Sequence, residues 1–364
     1  MRVAILGVGL IGGSIGLAAR RRLGAEVAGF DPERTNLKRA LELGALDRAA
    51  DSPPAALDGA EIAFCAAPVR ALPELVAAVL ASADPETSIT DVGSTKRELL
   101  DGLASAAGAE RFVGGHPLAG AETAGVENAR GDLFEGARWY LTPTPSTGGI
   151  YYDRVQRAIA GLGARPRAID PAAHDRLMAT VSHLPHVVAN ALASSAAASL
   201  GEGSEWLAEV GPSFRDATRV AGANPAIWGD IFATNREAVA GEIDAIADRL
   251  GEAAQLIRAG EPDALDAWHR AAGEDRRRLL QAGRPGGPLR ELRMTVENRP
   301  GIVAEIALAL GRDGVNIEDM ALYPAADMRT GAISLWVAGD REAERAAGIL
   351  RGLGHSVALV SGVP

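Results

Sequence analysis

The chain has 364 residues, 47% of them hydrophobic and only 4% aromatic, with 43 glycines and a formal net charge of −10. That length allows two or three domains with sizeable cores, and the negative balance, without long runs of one sign, argues against a nucleic-acid surface. No stretch approaches the roughly 20 apolar residues of a membrane span, and one cysteine, Cys65, rules out an internal disulfide.

The first predicted strand, 2–6, leaves no room for a signal peptide, so a cytoplasmic location is expected. It feeds Gly7-Val-Gly9-Leu-Ile-Gly12 and a small-residue helix that ends in Arg20-Arg-Arg. Gly7 permits a tight strand-to-helix turn, Gly9 lets the backbone approach a pyrophosphate, and Gly12 lets helix and strand pack closely. The helix N-terminus offers unpaired N–H groups to phosphates. The next strand, 26–30, ends in Asp31, where a carboxylate accepts hydrogen bonds from ribose hydroxyls and repels a 2′-phosphate. This pattern predicts a site that prefers NAD over NADP. Its candidate residues are Gly7, Gly9, Leu10, Ile11, Gly12 and Asp31, with Ala66 and Pro68 past the strand at 61–65. The plainer alternative is a doubly wound domain with no cofactor and Asp31 as a cap.

Further strands are predicted at 88–91, 112–114, 138–142 and 165–169, with a loop at 142–149 and a helix at 151–162. Alternating strands and helices over 1–169 fit a parallel α/β, Rossmann-type domain. Cys65, in an apolar run, reads as a buried core thiol. Residues 170–283 read as all-helical. The segment 189–200 is apolar almost all round, which calls for burial on more than one side and predicts a homodimer built on this domain. Gly/Pro-rich sequence marks a linker at 284–290. Over 291–364, strands at 291–297, 315–323, 332–338 and 355–360 and helices at 300–312 and 341–353 give a βαββαβ, ferredoxin-like α+β module.

Four clusters carry candidate chemistry. In Asp91-Val-Gly-Ser94-Thr-Lys96, the Ser94 hydroxyl either meets substrate or caps the following helix. His116, in Gly114-Gly-His116-Pro-Leu-Ala-Gly-Ala-Glu122, lies at a strand end and is expected to point into a crevice as a general base. Glu122 either orients a neighbour or faces water. In Ser182-His183-Leu-Pro-His186, two histidines three apart share a face only approximately, so one faces the cleft and the other is structural. His174 is expected at the interdomain junction or the surface. Downstream, Arg219 can clamp a carboxylate, Trp228 walls the pocket or is core, and Arg215 and Asp216 pair with each other.

Together these motifs resemble the prephenate dehydrogenases of tyrosine biosynthesis. The glycine turn, Gly-Ser-x-Lys, Gly-Gly-His-Pro-x-Ala-Gly, Ser-His-Leu-Pro-His and Thr218-Arg219 occur in the family's order over residues 1 to about 281. The tail, with Asn298-Arg-Pro-Gly301 and Gly314-Val-Asn316, looks like an ACT domain. The resemblance implies oxidative decarboxylation of a 4-hydroxycyclohexadiene with hydride passing to NAD. It implies His116 as base, Ser94 on the same oxygen, and His186, Arg219, Glu122 and Trp228 toward substrate. Tyrosine is the implied effector, at Asn298, Gly301 and Asn316. Where the family commonly has Thr and often Lys, this chain has Ala121 and Thr123, which leaves prephenate, arogenate or both as substrate. A β-hydroxyacid dehydrogenase would need a lysine in the helical domain, and the chain has only Lys38 and Lys96. A non-catalytic NAD and amino-acid sensor is the remaining alternative, and the intact Ser94, His116, His186 and Arg219 set argues against it.

Overall fold

A computed structural model describes residues 1–119, 125–201, 210–281, 289–297, 299, 301–325 and 329–360. The chain divides into two compact units, Met1–Arg249 and Leu250–Pro364. The first opens with β1 (Arg2–Leu6), α1 (Leu10–Leu23), β2 (Glu26–Phe30), α2 (Arg34–Glu42), β3 (Arg48–Ala49), α3 (Pro53–Leu57) and β4 (Ile62–Cys65). It continues through α4 (Leu72–Ser82), β5 (Ser88–Asp91), α5 (Arg97–Leu103), β6 (Phe112–Pro117), β7 (Arg138–Thr142), α6 (Gly149–Gly161) and β8 (Arg165–Ala168).

These strands form one sheet in the order β3-β2-β1-β4-β5-β6-β7-β8. Every neighbouring pair is parallel except β6 with β7. Strand alternation explains how both faces are covered. Val3, Ile5, Ile62 and Phe64 pack into the core on one face, and Ala4, Leu6, Ala63 and Cys65 into the core on the other. The chain runs outward from β1 to β3 and then returns to β4 on the opposite side. The carboxyl ends of β1 and β4 therefore form the switch point where ligands of such sheets bind.

Strand β6 runs three residues beyond its expected end, because Gly114, Gly115, His116 and Pro117 pair with Thr142, Leu141, Tyr140 and Trp139 of β7. His116 thus lies inside a paired strand rather than in the loop after it.

The helical segment comprises α7 (Pro171–Met178), one π-helical turn (Ala179–His183), α8 (Leu184–Leu200), α9 (Pro212–Thr218), α10 (Pro225–Thr234) and α11 (Arg236–Ala259). Helices α7, α9 and α10 each start on proline, where its missing N–H costs nothing, and α8, which carries Pro185, runs on from the π-helical turn. Only Ala189 of α8 is buried, and Val188 and Leu192 are exposed.

In the second unit α12 (Pro262–Gln281) precedes β9 (Leu289–Glu297), α13 (Ile302–Arg312), β10 (Asp319–Pro324), β11 (Thr330–Ala338), α14 (Asp340–Gly352) and β12 (Val357–Val360). The four strands are antiparallel in the order β10-β11-β9-β12. Leu292, Met294 and Val296 of β9 pack with Ile306 and Leu310 of α13 and with Ala346 and Leu350 of α14. This is the ferredoxin-like module expected from the sequence.

Candidate active site

The glycine turn follows β1. Gly7 sits at φ +99°, and a Cβ there would meet the Ala66 carbonyl oxygen at 2.3 Å. A Cβ on Gly12 would lie 2.0 Å from the Gly7 carbonyl oxygen. Both positions therefore exclude any side chain. Gly9 differs, since a Cβ there meets nothing within 4 Å. The space over Gly9 is open, as a cradle for a phosphate requires. Gly9 caps α1 without a side-chain bond, and the first turn, with Leu10 and Ile11, carries no acidic residue. The N–H groups and the positive dipole end remain available to an anion.

Asp31, buried at the end of β2, accepts hydrogen bonds from Val8 N (2.7 Å), Glu33 N (2.9 Å) and Asn36 Nδ2 (3.1 Å). An ionised carboxylate offers about four acceptor positions, so one remains for a ribose hydroxyl while the charge bars a 2′-phosphate. The carboxylate also braces the glycine turn through Val8. Ala66 donates its N–H to the Leu6 carbonyl at 2.7 Å, and Pro68 is exposed two residues on. These residues fit a dinucleotide.

Gly7, Ala66 and Ser94 follow β1, β4 and β5, and His116 is the last residue but one of β6. These strands are parallel, so all four residues lie along one edge of the sheet. Ser94 is half-buried and does not cap α5. That task falls to Asp175 of α7, whose carboxylate accepts from Lys96 N (2.8 Å) and Arg97 N (2.9 Å). Below the loop, the wholly buried Lys96 ammonium pairs with Asp91 and donates to the Gly115 carbonyl at 2.8 Å. Asp91 also accepts from Gly93 N (2.8 Å) and Gly115 N (2.9 Å). The strand that carries His116 is thereby pinned on both sides of that residue's neighbour. Burial pulls the Lys96 pKa down, and the Asp91 carboxylate opposes this.

His116 Nδ1 lies 2.9 Å from His174 Nε2, and His174 Nδ1 lies 2.8 Å from Asp175 Oδ1. His174 is fully buried rather than at the surface, and Tyr140 packs edge-on against it with ring centroids 5.7 Å apart. Burial pushes the His116 pKa well below its usual value, aided by His174, Lys96 and His183. A buried imidazole held neutral at physiological pH suits a proton acceptor.

In Ser182-His183-Leu-Pro-His186, His183 ends the π-helical turn and His186 lies in the first turn of α8, and the two rings face differently. His183 points inward, 3.2 Å from Asn235 Nδ2, and burial lowers its pKa to about 4. His186 stacks on Trp228 with ring centroids 3.5 Å apart and planes 26° off parallel. His183 meets the same indole edge-on at 6.0 Å. Trp228 is therefore half-buried wall rather than core. Arg219 is exposed at the C-terminal end of α9. Glu122, Ala121 and Thr123 lie outside the described residues.

In the second unit Gly301 caps α13 at φ +88°, and exposed Asn316 donates to Glu318 at 2.7 Å. The eleven residues of α13 separate them by about 16 Å at 1.5 Å per residue. One chain does not bring them together. Asn298 lies outside the described residues.

Sequence reasoning underrated His174 and passed over Asp175, Asn235 and the Lys96 strut. The available signal was the His174-Asp175 pair in the first helix after the α/β segment, set just behind the Asp170-Pro171 helix start, where Asp170 accepts from Ala173 N at 2.9 Å.

Comparison with known proteins fits this geometry. Residues 15–167 match the family model for the prephenate dehydrogenase nucleotide-binding domain, 170–271 that for the prephenate dehydrogenase dimerization domain, and 292–353 an AHAS small subunit-like ACT domain. The chain is 28% identical to prephenate dehydrogenase of Bacillus subtilis over 94% of each chain. It is 31% identical to the probable prephenate dehydrogenase NovF of Streptomyces niveus, over 92% of this chain and 94% of that one. The crystal structure of prephenate dehydrogenase from A. aeolicus, in complex with hydroxyphenyl propionate and NAD+, superposes with a TM-score of 0.70 at 31% identity, covering 76% of this chain and 97% of the other. With both family domains matched in order, the chain belongs to the prephenate dehydrogenase family of NAD-dependent oxidoreductases.

Proposed function

We propose that this chain oxidatively decarboxylates prephenate to 4-hydroxyphenylpyruvate, as a cytoplasmic homodimer under feedback by tyrosine. The observation that carries the chemistry is a buried His116 whose Nδ1 is engaged by His174, at the sheet edge that also holds the glycine turn. The domain limits that go with this reading are 1–169 for the cofactor, 170–283 for substrate and dimerisation, 284–290 as linker and 291–364 for regulation.

NAD is held by Gly7, Gly9, Leu10, Ile11, Gly12, Asp31, Ala66 and Pro68, and when bound it accepts hydride from ring carbon 4. His116 Nε2 takes the proton of the hydroxyl on that carbon, and Ser94 hydrogen-bonds the same oxygen. The ring carboxylate leaves as carbon dioxide and its bonding pair completes the aromatic ring. The ring oxygen, now a phenolate, takes the proton back from His116. Prephenate dianion and NAD+ thus give the product monoanion, carbon dioxide and NADH with no net proton. Aromatisation drives the step, so the protein has mainly to orient the reactants and hold one proton. Arg219 clamps a substrate carboxylate, and His186, Trp228 and Glu122 complete the substrate side.

The exposed apolar face of α8 supports the dimer. The separation of Gly301 from Asn316 supports an effector site that forms only where two ACT modules meet. No helix among the described residues is long and apolar enough to cross a membrane. The test is NADH formation with prephenate and with arogenate, each with and without tyrosine. Faster turnover of arogenate replaces the substrate assignment, and no turnover of either ends the enzyme reading. Asn316→Ala is expected to lose tyrosine inhibition at unchanged kcat. Inhibition retained there moves the effector elsewhere.

A further inference from the structure

His116, His174 and Asp175 form a line of three groups across two structural segments. His116 comes from β6, and the other two come from the first helix of the helical segment. A carboxylate only accepts, so His174 Nδ1 must donate to Asp175 Oδ1 over 2.8 Å. In neutral His174 that leaves Nε2 as the acceptor. His116 Nδ1, 2.9 Å away, is then the donor, and the proton-free nitrogen of His116 is Nε2.

We propose that His174 and Asp175 are positioning residues that hold His116 in the Nδ1–H tautomer and share the charge it gains when it takes the substrate proton. The proposal rests on the reading of His116 as base. As Nε2 binds the hydroxyl proton, the Nδ1 proton shifts toward His174 Nε2 and the His174 Nδ1 proton toward Asp175 Oδ1. The reverse shift returns the proton to the phenolate oxygen, so the line ends as it began. Asp175 is itself fixed, since it accepts from Lys96 N and Arg97 N, and Asn235 donates to its carbonyl at 2.8 Å. The other polar groups packed around the two rings do not supply this function. Lys96 is a cation turned to Asp91 and Gly115. His183 is bound to Asn235, and Tyr140 meets His174 through its ring edge.

The need for such a line is physical. A cation formed on a buried imidazole is costly, and a charged His174, Lys96 and His183 make it costlier, so His174 offsets the cost only as a neutral ring. A carboxylate reached through one intervening ring offsets that cost, and its distance keeps it from competing for the substrate proton.

The test is 15N NMR of histidine-labelled full-length protein, which has six histidines, with His116 assigned by His116→Asn. Nε2 is expected as the bare nitrogen of His116 and Nδ1 as the protonated one. Asp175→Asn keeps an oxygen toward His174 Nδ1 and Lys96 N and removes the charge. Its expected result is an unchanged His116 tautomer with loss of kcat by roughly 10²-fold, and KM for substrate and NAD changed less than about twofold. His174→Leu, which leaves the α5 cap in place, is expected to lose kcat by at least about tenfold with the same KM values. An Nε2–H tautomer in the unaltered protein overturns the proposal, and so does full kcat in His174→Leu. His116→Asn with full kcat would instead overturn the base reading, a result separable from both.

Discussion

Lys96 and Asp91 pair beneath the backbone of Gly115, with both side chains fully buried. The pair joins the loop after β5 to the strand that carries His116. Two charges out of water persist only when each finds several partners. Asp91 has the ammonium and two backbone N–H groups, and Lys96 has the carboxylate and a carbonyl.

Lys96→Met keeps the length and removes the charge, which leaves Asp91 buried as an anion with two neutral donors. Breaking such a pair costs about 3–5 kcal/mol. Urea unfolding is expected to show a loss in that range, and kcat should fall as well because the Gly115 carbonyl loses its donor next to His116. A variant within about 1 kcal/mol of the parent would show that the pair does not hold the strand.

The pH dependence of kcat/KM follows from the burial of His116. Its pKa is depressed well below the usual 6.5, so the imidazole is already neutral at pH 6.5 and above. The rate constant should therefore be insensitive to His116 from pH 8 down to about 6.5. It should fall only at lower pH, as the ring takes a proton. An acid limb centred at or above pH 6.5 would mean that the catalytic base is another group or that His116 is solvated.

Arg219 reaches solvent at the end of α9. If it clamps a carboxylate, Arg219→Ala removes charged hydrogen bonds worth about 1.5–3 kcal/mol. KM for prephenate should then rise roughly 10- to 150-fold, with kcat changed far less. A rise confined to kcat effects, or no rise at all, removes the clamp.

The glycine turn was legible because each glycine carries its own local reason. Gly7 has a positive φ, Gly12 has a carbonyl where a Cβ would sit, and Gly9 has open space. The short continuous apolar runs that became β1 and β4 were legible too, because parallel strands covered on both faces are apolar throughout. What the sequence hid was set by distant contact. His116 and His174 are 58 residues apart, and Asp175 and Lys96 are 79 apart. No short pattern links a carboxylate in one segment to the first turn of a helix in another, so the cap that Asp175 supplies left Ser94 open to two readings, substrate contact or cap. The end of β6 was hidden too. Two glycines and Pro117 read as strand breakers, and only pairing with β7 extends the strand through His116.

His183 links the site to acid stability. It is buried against Asn235, and burial lowers its pKa to about 4. In the unfolded chain the same ring titrates near 6.5. Below that pH the unfolded state takes up a proton that the folded state refuses until about pH 4, so stability falls as pH drops through this window. The full loss corresponds to about 3 kcal/mol, and His116, shifted the same way, adds to it. His183→Gln is expected to be less stable at pH 7, for want of the imidazole packing, yet to lose less stability between pH 7 and pH 4.5. Urea midpoints at pH 7.0, 5.5 and 4.5 for both proteins measure the difference in slope. Parallel lines would place the acid sensitivity on other groups and leave His183 without a part in it.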